Sequence, residues 1–141
     1  MKIHHAPIHP DLAMPVRDGH KTLTMRPLKP QPSDFDPAGG ILTYGHDDAE
    51  MKVYVDDYPC PFGRPGDLLV LHFDGNNTPF YTGKITAVSL QRLQDASGEQ
   101  VKLEGMDDRA SFLAFWDRLY GESEFASHFN PVVWAIRYCK G

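Results

Sequence analysis

The sequence predicts a single α+β domain, mainly β, built as a small antiparallel β-barrel with two or three flanking helices. The chain has 141 residues, which is enough for one hydrophobic core, and no repeat or composition shift divides residues 1–141. Apolar and polar residues alternate in several short segments, as in strands that bury one face. Helical periodicity is clear only near the C-terminal end, so we expect helices beside the barrel rather than between its strands.

Prolines limit regular structure in the first 40 residues. A proline inside a helix costs about 3 kcal/mol, so we expect only one short helix, at residues 10–18, closed by Gly19. Residues 22–28 then alternate between apolar and polar side chains, which predicts a half-buried strand.

The middle of the chain reads as a series of strands. Residues 31–50 are rich in Pro, Gly and Asp and predict an irregular excursion with one short strand at 41–44. Strands are then expected at residues 51–57, 67–73 and 80–93. The sequence GNNTP at 75–79 predicts a hairpin turn, and Gly83 marks a β-bulge.

Two helices and a closing strand are expected after residue 93. A weak helix spans 93–104, and a stronger one at 108–120 begins with acidic residues and ends at Gly121. Apolar side chains of the second helix recur at helical spacing and predict a core-facing stripe: Phe112, Phe115, Trp116 and Leu119. The strand is expected at 132–139.

Composition excludes several classes of protein. No apolar stretch is long enough to cross a membrane, and the start of the sequence has no secretory signal, so we expect a cytoplasmic protein. Cys60 and Cys139 form no disulfide framework and read as buried small hydrophobes. Three histidines near the start of the chain, His4, His5 and His9, do not have the spacing of a zinc motif. We therefore expect a mobile His-rich terminus, no metal site and no cofactor.

Charge is distributed unevenly along the chain. The net charge of −5 argues against a protein that coats nucleic acid by neutralising phosphates alone. Residues 1–30 hold five Lys or Arg against two Asp, whereas residues 31–60 hold seven acids against one Lys. We therefore expect an anionic ligand near the basic residues of the first segment: Arg17, Lys21, Arg26 and Lys29.

Five segments together resemble the ASCH domain family of the PUA-like superfamily. They are GHKTLTMR at 19–26, RPGD at 64–67, ITAVSLQRLQD with LEG at 85–105, FLAFWDRLYG at 112–121 and NPVVWAIRY at 130–138. The order is that of a branch common in phage and prophage genomes. This resemblance implies a PUA-like barrel with a cleft between barrel and helices, and a role in binding RNA or a modified nucleoside.

One enzyme branch of that family, the YqfB-type acetylcytidine amidohydrolases, removes an acyl group from the cytosine amine. The resemblance assigns its catalytic residues to Lys21, Thr24 and Glu104. Thr24 would attack the acyl carbon, and Lys21 would accept its proton or hold the oxyanion. Glu104 would orient Lys21 or protonate the leaving amine.

Further residues are predicted to bind the substrate. Arg26 and Arg64 would clamp a phosphate or carboxylate, Thr22 shares the strand face of Thr24, and Phe62 lies in a turn where it would stack on a base. His20 replaces the family's usual Arg, which favours a binding module over a working enzyme.

Two other interpretations stay open. Residues 21–26 also fit the solvent face of an ordinary strand. As an alternative to a nucleoside or RNA site, the protein is a non-enzymatic, phage-derived interaction protein that binds a host protein through its acidic residues 34–57. A binder of nucleic acid should lose affinity with salt, and an acidic interaction surface should bind no RNA.

Overall fold

The computed structural model describes residues 1–46, 49–73 and 78–140, which form eight strands and three α-helices. Strands β1 to β8 span Ile3–Ile8, Leu23–Pro27, Asp34–Asp36, Ile41–Tyr44, Met51–Tyr54, Leu68–Phe73, Pro79–Arg92 and Val132–Lys140. Helices α1 to α3 span Ala13–Arg17, Gly98–Leu103 and Arg109–Tyr120. The predicted mixed fold, mainly β, is confirmed.

The main sheet has five strands in the order β1-β6-β7-β8-β2. All its pairs are antiparallel except β1 with β6. Strands β1 and β2 form the two edges of this sheet, and the Arg26 guanidinium of β2 donates a hydrogen bond to the Pro7 carbonyl of β1 at 2.6 Å. The sheet therefore curls into a barrel that stays open along one line, between β1 and β2, which we call the seam.

Strand β1 corrects the expectation of a mobile His-rich terminus. It pairs in parallel with β6 over its whole length, from Ile3 opposite Leu68 to Ile8 opposite Phe73. The ring Nε2 of His4 also lies 2.9 Å from an Asp67 carboxylate oxygen. The segment is ordered by backbone pairing with a distant strand, for which its own sequence carries little apolar signal.

The predicted irregular excursion at 31–50 also needs correction. Two of its segments, β3 and β4, pair antiparallel and continue into β5 as a separate three-stranded sheet. The inward residues Phe35 and Leu42 are buried and join the main core. The short strand predicted at 41–44 is therefore present, but as the centre of a small sheet.

Strand β2 separates two clusters of core residues. Leu23 and Met25 point to one face, where they pack with α2 and α3. Thr24 and Arg26 point to the opposite face, as the alternation of a strand requires. Helix α3 begins at the N-cap Asp108, which accepts a hydrogen bond from the Ser111 backbone.

Several local expectations are corrected. The bulge in β7 interrupts its pairing with β8 between Ile85 and Ala87, not at Gly83, where a side chain would instead meet the Tyr138 ring. Cys139 is exposed and Cys60 is half-buried. The hairpin predicted at 75–79 falls mostly on residues outside those described. In the described chain, no helix combines the length and apolar character needed to span a bilayer.

Candidate functional site

A cleft of about 270 Å³ opens at the seam between β1 and β2. Its floor is polar and its opposite wall is the aromatic face of α3. The floor residues are Lys21, Thr24, Arg26 and Glu104, and the wall residues are Phe112, Phe115, Trp116 and Tyr120. The seam supplies the space, because none of the described strands fills the gap between the two sheet edges.

Lys21 is buried at the bottom of this cleft, with 1% of its surface exposed. The chain leaves α1 through Gly19, whose φ of 78° favours glycine, and the Lys21 backbone then donates to the Pro15 carbonyl. This bend turns the side chain inward. Its ammonium donates to a Glu104 carboxylate oxygen and to the Leu23 carbonyl, both at 2.5 Å.

Glu104 is brought to Lys21 by the end of α2. It is the C-cap of that helix and is 7% exposed. Gly105 follows with a φ of 93°, and a β-carbon there would lie 3.1 Å from Pro15. The glycine thus allows α2 to end close against α1, which places the Glu104 carboxylate near the Met25 backbone of β2.

Burial sets the electrostatics of the Lys21–Glu104 pair. Loss of water lowers the pKa of Lys21 below its ordinary value and raises the pKa of Glu104, while the attraction between the two groups opposes both shifts. The ionised and neutral forms of the pair are therefore closer in energy than they would be in water. Such a pair can pass a proton between its members.

Arg26 is held in a fixed position beside Thr24. Its Nε donates to the Thr24 hydroxyl at 3.0 Å, and its Nη2 donates to Pro7 across the seam. The Phe62 ring lies 5.9 Å from its guanidinium carbon, within cation–π range. Among the described carboxylates none forms an ion pair with Arg26, so its charge remains available to a ligand.

The predicted site residues fall into two groups. Lys21, Thr24, Arg26 and Glu104 all line the cleft. Thr22 directly precedes β2 and does not line the cleft; its backbone instead hydrogen-bonds to Leu103 and Tyr138. Phe62 does not line the cleft either, but its ring lies near the Arg26 guanidinium.

Arg64, which we expected in the cleft, lies elsewhere. It is exposed and lines a separate cavity of about 550 Å³ together with Tyr58 and Trp134. The turn that carries it is fixed by Asp67, which accepts a hydrogen bond from the Arg64 backbone. Arg64 is therefore not one of the residues that line the seam cleft.

The sequence did not single out His9 or the tyrosine of α3 as site residues. His9 lines the cleft and packs edge-on against Phe115, with ring centroids 5.3 Å apart. Tyr120 is not predicted as a site residue because it directly follows an apolar stripe that the sequence pattern assigns to the core. That stripe is only partly core: Phe112 and Trp116 are buried, whereas Leu119 is 48% exposed at the cleft.

The described residues contain no group of three or more His, Cys, Asp or Glu side chains placed to hold a metal ion. The search against family models found no match for this sequence. The search of curated proteins likewise found none.

Solved structures do resemble the chain. A crystal structure of an Enterococcus faecalis V583 protein, described as family DUF984, superposes with a TM-score of 0.61 at 11% identity and covers 98% of this chain and 79% of its own. A crystal structure of an ASCH domain from Lactobacillus crispatus JV V101 gives a TM-score of 0.60 at 14% identity, covering 99% and 79%. The chain therefore shares the fold of that ASCH domain.

Proposed function

We propose that the seam cleft binds a single nucleotide unit, either a modified nucleoside or one residue of an RNA. The observation that supports this proposal is the pairing of the fixed Arg26 cation with an aromatic wall across the same cleft. A base stacks on aromatic rings, and its polar edges then meet hydrogen-bonding groups.

The volume of the cleft and the net charge of the protein favour binding of one nucleotide over binding of a longer RNA strand. Pockets for drug-sized ligands measure about 300–1,000 Å³, so a cleft of about 270 Å³ suits one base and its sugar. The net charge of −5 also disfavours binding through many phosphates. Recognition would therefore depend on the base and on few ionic contacts.

A second candidate function is hydrolysis of an acylated base amine in the same cleft. Thr24 Oγ1 would attack the acyl carbon and pass its proton to a neutral Lys21 amine, forming a tetrahedral oxyanion. The C–N bond would then break, the amine leaving with that proton, and water would hydrolyse the Thr24 ester to release the acid. The lowered pKa of Lys21 supports this route because it makes the neutral amine accessible.

Binding can be tested by titrating ¹⁵N-labelled protein with acetylcytidine and with cytidine 5′-monophosphate. Replacing Arg26 by Gln should weaken binding of the monophosphate roughly 10- to 100-fold, as expected when a hydrogen-bonded charge is lost. Arg64→Gln is the matched control, because Arg64 lies outside the cleft, and it should bind like the wild type.

Two outcomes would contradict the proposal. Equal losses in Arg26→Gln and Arg64→Gln would mean that only general positive charge matters. Absence of any change at cleft residues with either ligand would contradict the nucleotide function and favour the host-protein alternative, in which the acidic residues 34–57 form the contact.

A further inference from the structure

Most polar groups of the cleft are already occupied by hydrogen bonds within the protein. Lys21 donates to Glu104 and Leu23, and Arg26 donates to Thr24 and Pro7. In the wall, the Trp116 indole N–H donates to the Phe125 carbonyl at 2.7 Å and is therefore unavailable to a ligand. His9, which also lines the cleft, accepts a hydrogen bond from the Asp11 backbone.

The hydroxyl of Tyr120 differs from these groups. It makes no hydrogen bond to any residue in the part of the chain that the structure describes, although Tyr120 lines the cleft. Its ring is fixed from two sides, with the Trp116 centroid at 4.6 Å and Phe125 meeting it edge-on at 6.2 Å. The ring of this cleft-lining residue is thus held in place, and its hydroxyl has no hydrogen-bond partner among the described residues.

The Tyr120 hydroxyl is a donor under ordinary conditions. Partial burial raises the pKa of Tyr120 above its usual value, so the phenol stays protonated at neutral pH. Tyr120 lines the same cleft as Arg26 and Glu104, whose charges act on this pKa in opposite directions. The phenol is therefore a neutral donor in the cleft that also holds the Arg26 cation.

We infer that Tyr120 is a specificity-determining residue whose hydroxyl donates to a ring keto oxygen of the bound base. The inference rests on the proposed function. Because Tyr120 belongs to the aromatic wall, the part of a ligand that reaches it is the part that stacks there, namely the base. The neutral phenol suits a keto oxygen, and the charged Arg26 is left for an anionic group such as a phosphate.

A pair of pyrimidine bases that differ in this oxygen, and in the N1 proton that accompanies it, tests the inference. Cytosine carries a 2-keto oxygen and an N1–H, whereas 4-aminopyrimidine carries hydrogen at C2 and none at N1. Wild type should bind cytosine about tenfold more tightly, since the analogue leaves the phenol unpaired inside the cleft. In Tyr120→Phe the preference should fall to near one, with the affinity for 4-aminopyrimidine retained.

Controls separate recognition from packing. Tyr54→Phe changes an exposed tyrosine on β5 and should keep the wild-type preference. Tyr120→Met is a second hydroxyl-free variant that should also lose the preference, so that a folding defect in one variant leaves the other to decide. Folding of each variant is checked from its amide spectrum and thermal midpoint.

The outcomes distinguish the inference from the function on which it rests. Binding of both nucleobases to Tyr120→Phe with an unchanged tenfold preference would overturn the role of Tyr120 and leave the proposed function standing. Failure of wild type to bind either nucleobase, cytidine 5′-monophosphate or acetylcytidine would overturn both.

Discussion

Lys21 and Glu104 complete the free edge of strand β2. The Lys21 ammonium donates to the Leu23 carbonyl, and the Glu104 carboxylate lies near the Met25 backbone N–H. In a continuous sheet a neighbouring strand would hydrogen-bond to both backbone groups, but none of the described strands occupies that position. The ion pair thus has a structural reason to exist, in addition to any chemistry at the cleft floor.

This arrangement predicts strong coupling between the two residues. Lys21→Met or Glu104→Gln alone should destabilise the fold by about 3–5 kcal/mol, because each disrupts a buried pair and leaves its partner without its counter-group. The double variant should lose much less than the sum, since it leaves no unpaired buried charge. Chemical denaturation of the four proteins measures the coupling.

Lys84→Met provides the matched control for the first variant, since Lys84 is exposed on β7 and should change stability by less than about 0.5 kcal/mol. Additive losses in the two single variants would show that Lys21 and Glu104 act independently, contrary to their contact.

Asp67 should make the fold sensitive to acid. Its carboxylate accepts hydrogen bonds from the Lys2 backbone, from His4 and from the Arg64 backbone, and these lower its pKa to about 2. A depressed carboxyl pKa stabilises the folded state above the ordinary value near 3.8 and loses that effect as the pH falls towards 2. The β1 attachment should therefore weaken in acid.

The measurement is the thermal midpoint of Asp67→Asn between pH 7 and pH 2. At pH 7 the variant should melt at a lower temperature than wild type, and the difference should shrink below about pH 4, near the ordinary carboxyl pKa. Asp57→Asn, an exposed acid near the same cavity, should follow wild type throughout. A difference that is constant with pH would exclude titration of Asp67 as its cause.

Gly105 should be essential to the placement of Glu104. Gly105→Ala forces a left-handed φ of 93° on a residue with a β-carbon, which would also lie 3.1 Å from Pro15, and should destabilise the fold by about 1–3 kcal/mol. Gly98→Ala is the control in the same helix: a β-carbon there meets nothing within 4 Å, so stability should be unchanged or slightly higher. Equal losses at both positions would contradict this explanation.

Local patterns predicted the elements that bury one face. The strand at β2 and the helix α3 follow from short-range alternation and periodicity, and the end of α2 follows from Gly105. The start of α2 is also set by residues close in the chain, because Ser97 and Gln100 form a capping box. These features depend on neighbours in the chain, which the sequence displays directly.

Long-range relationships were not predictable in the same way. Strand β1 is specified by backbone pairing with β6, more than 60 residues away, and backbone groups are the same in every sequence. Arg64 lies at a separate cavity, in a turn whose backbone is bound by Asp67 three residues later. Tyr120 follows the apolar stripe of α3, and this end of the stripe lines a cleft only because the two edges of the sheet leave a seam there.

The hydrolytic candidate can be separated from simple binding by acetate release from acetylcytidine. If Thr24 is the nucleophile, Thr24→Ala should abolish release, and Thr24→Ser, which keeps a hydroxyl, should retain part of it. Lys21→Met should cause a nearly equal loss, because the hydroxyl would no longer have a proton acceptor. The double variant should be no worse than either single one, since the two groups act as a unit.

Stability must be controlled in this comparison, because Lys21 also supports the edge of β2. Thr43→Ala removes a buried threonine of β4, outside the cleft, and is the matched control for Thr24→Ala: it should release acetate like wild type as long as it remains folded. Activity that survives in Thr24→Ala would exclude Thr24 as the nucleophile. If folded wild type binds acetylcytidine but releases no acetate, the cleft is a binding site alone, consistent with the Arg26 donor bond holding the Thr24 hydroxyl as a recognition group.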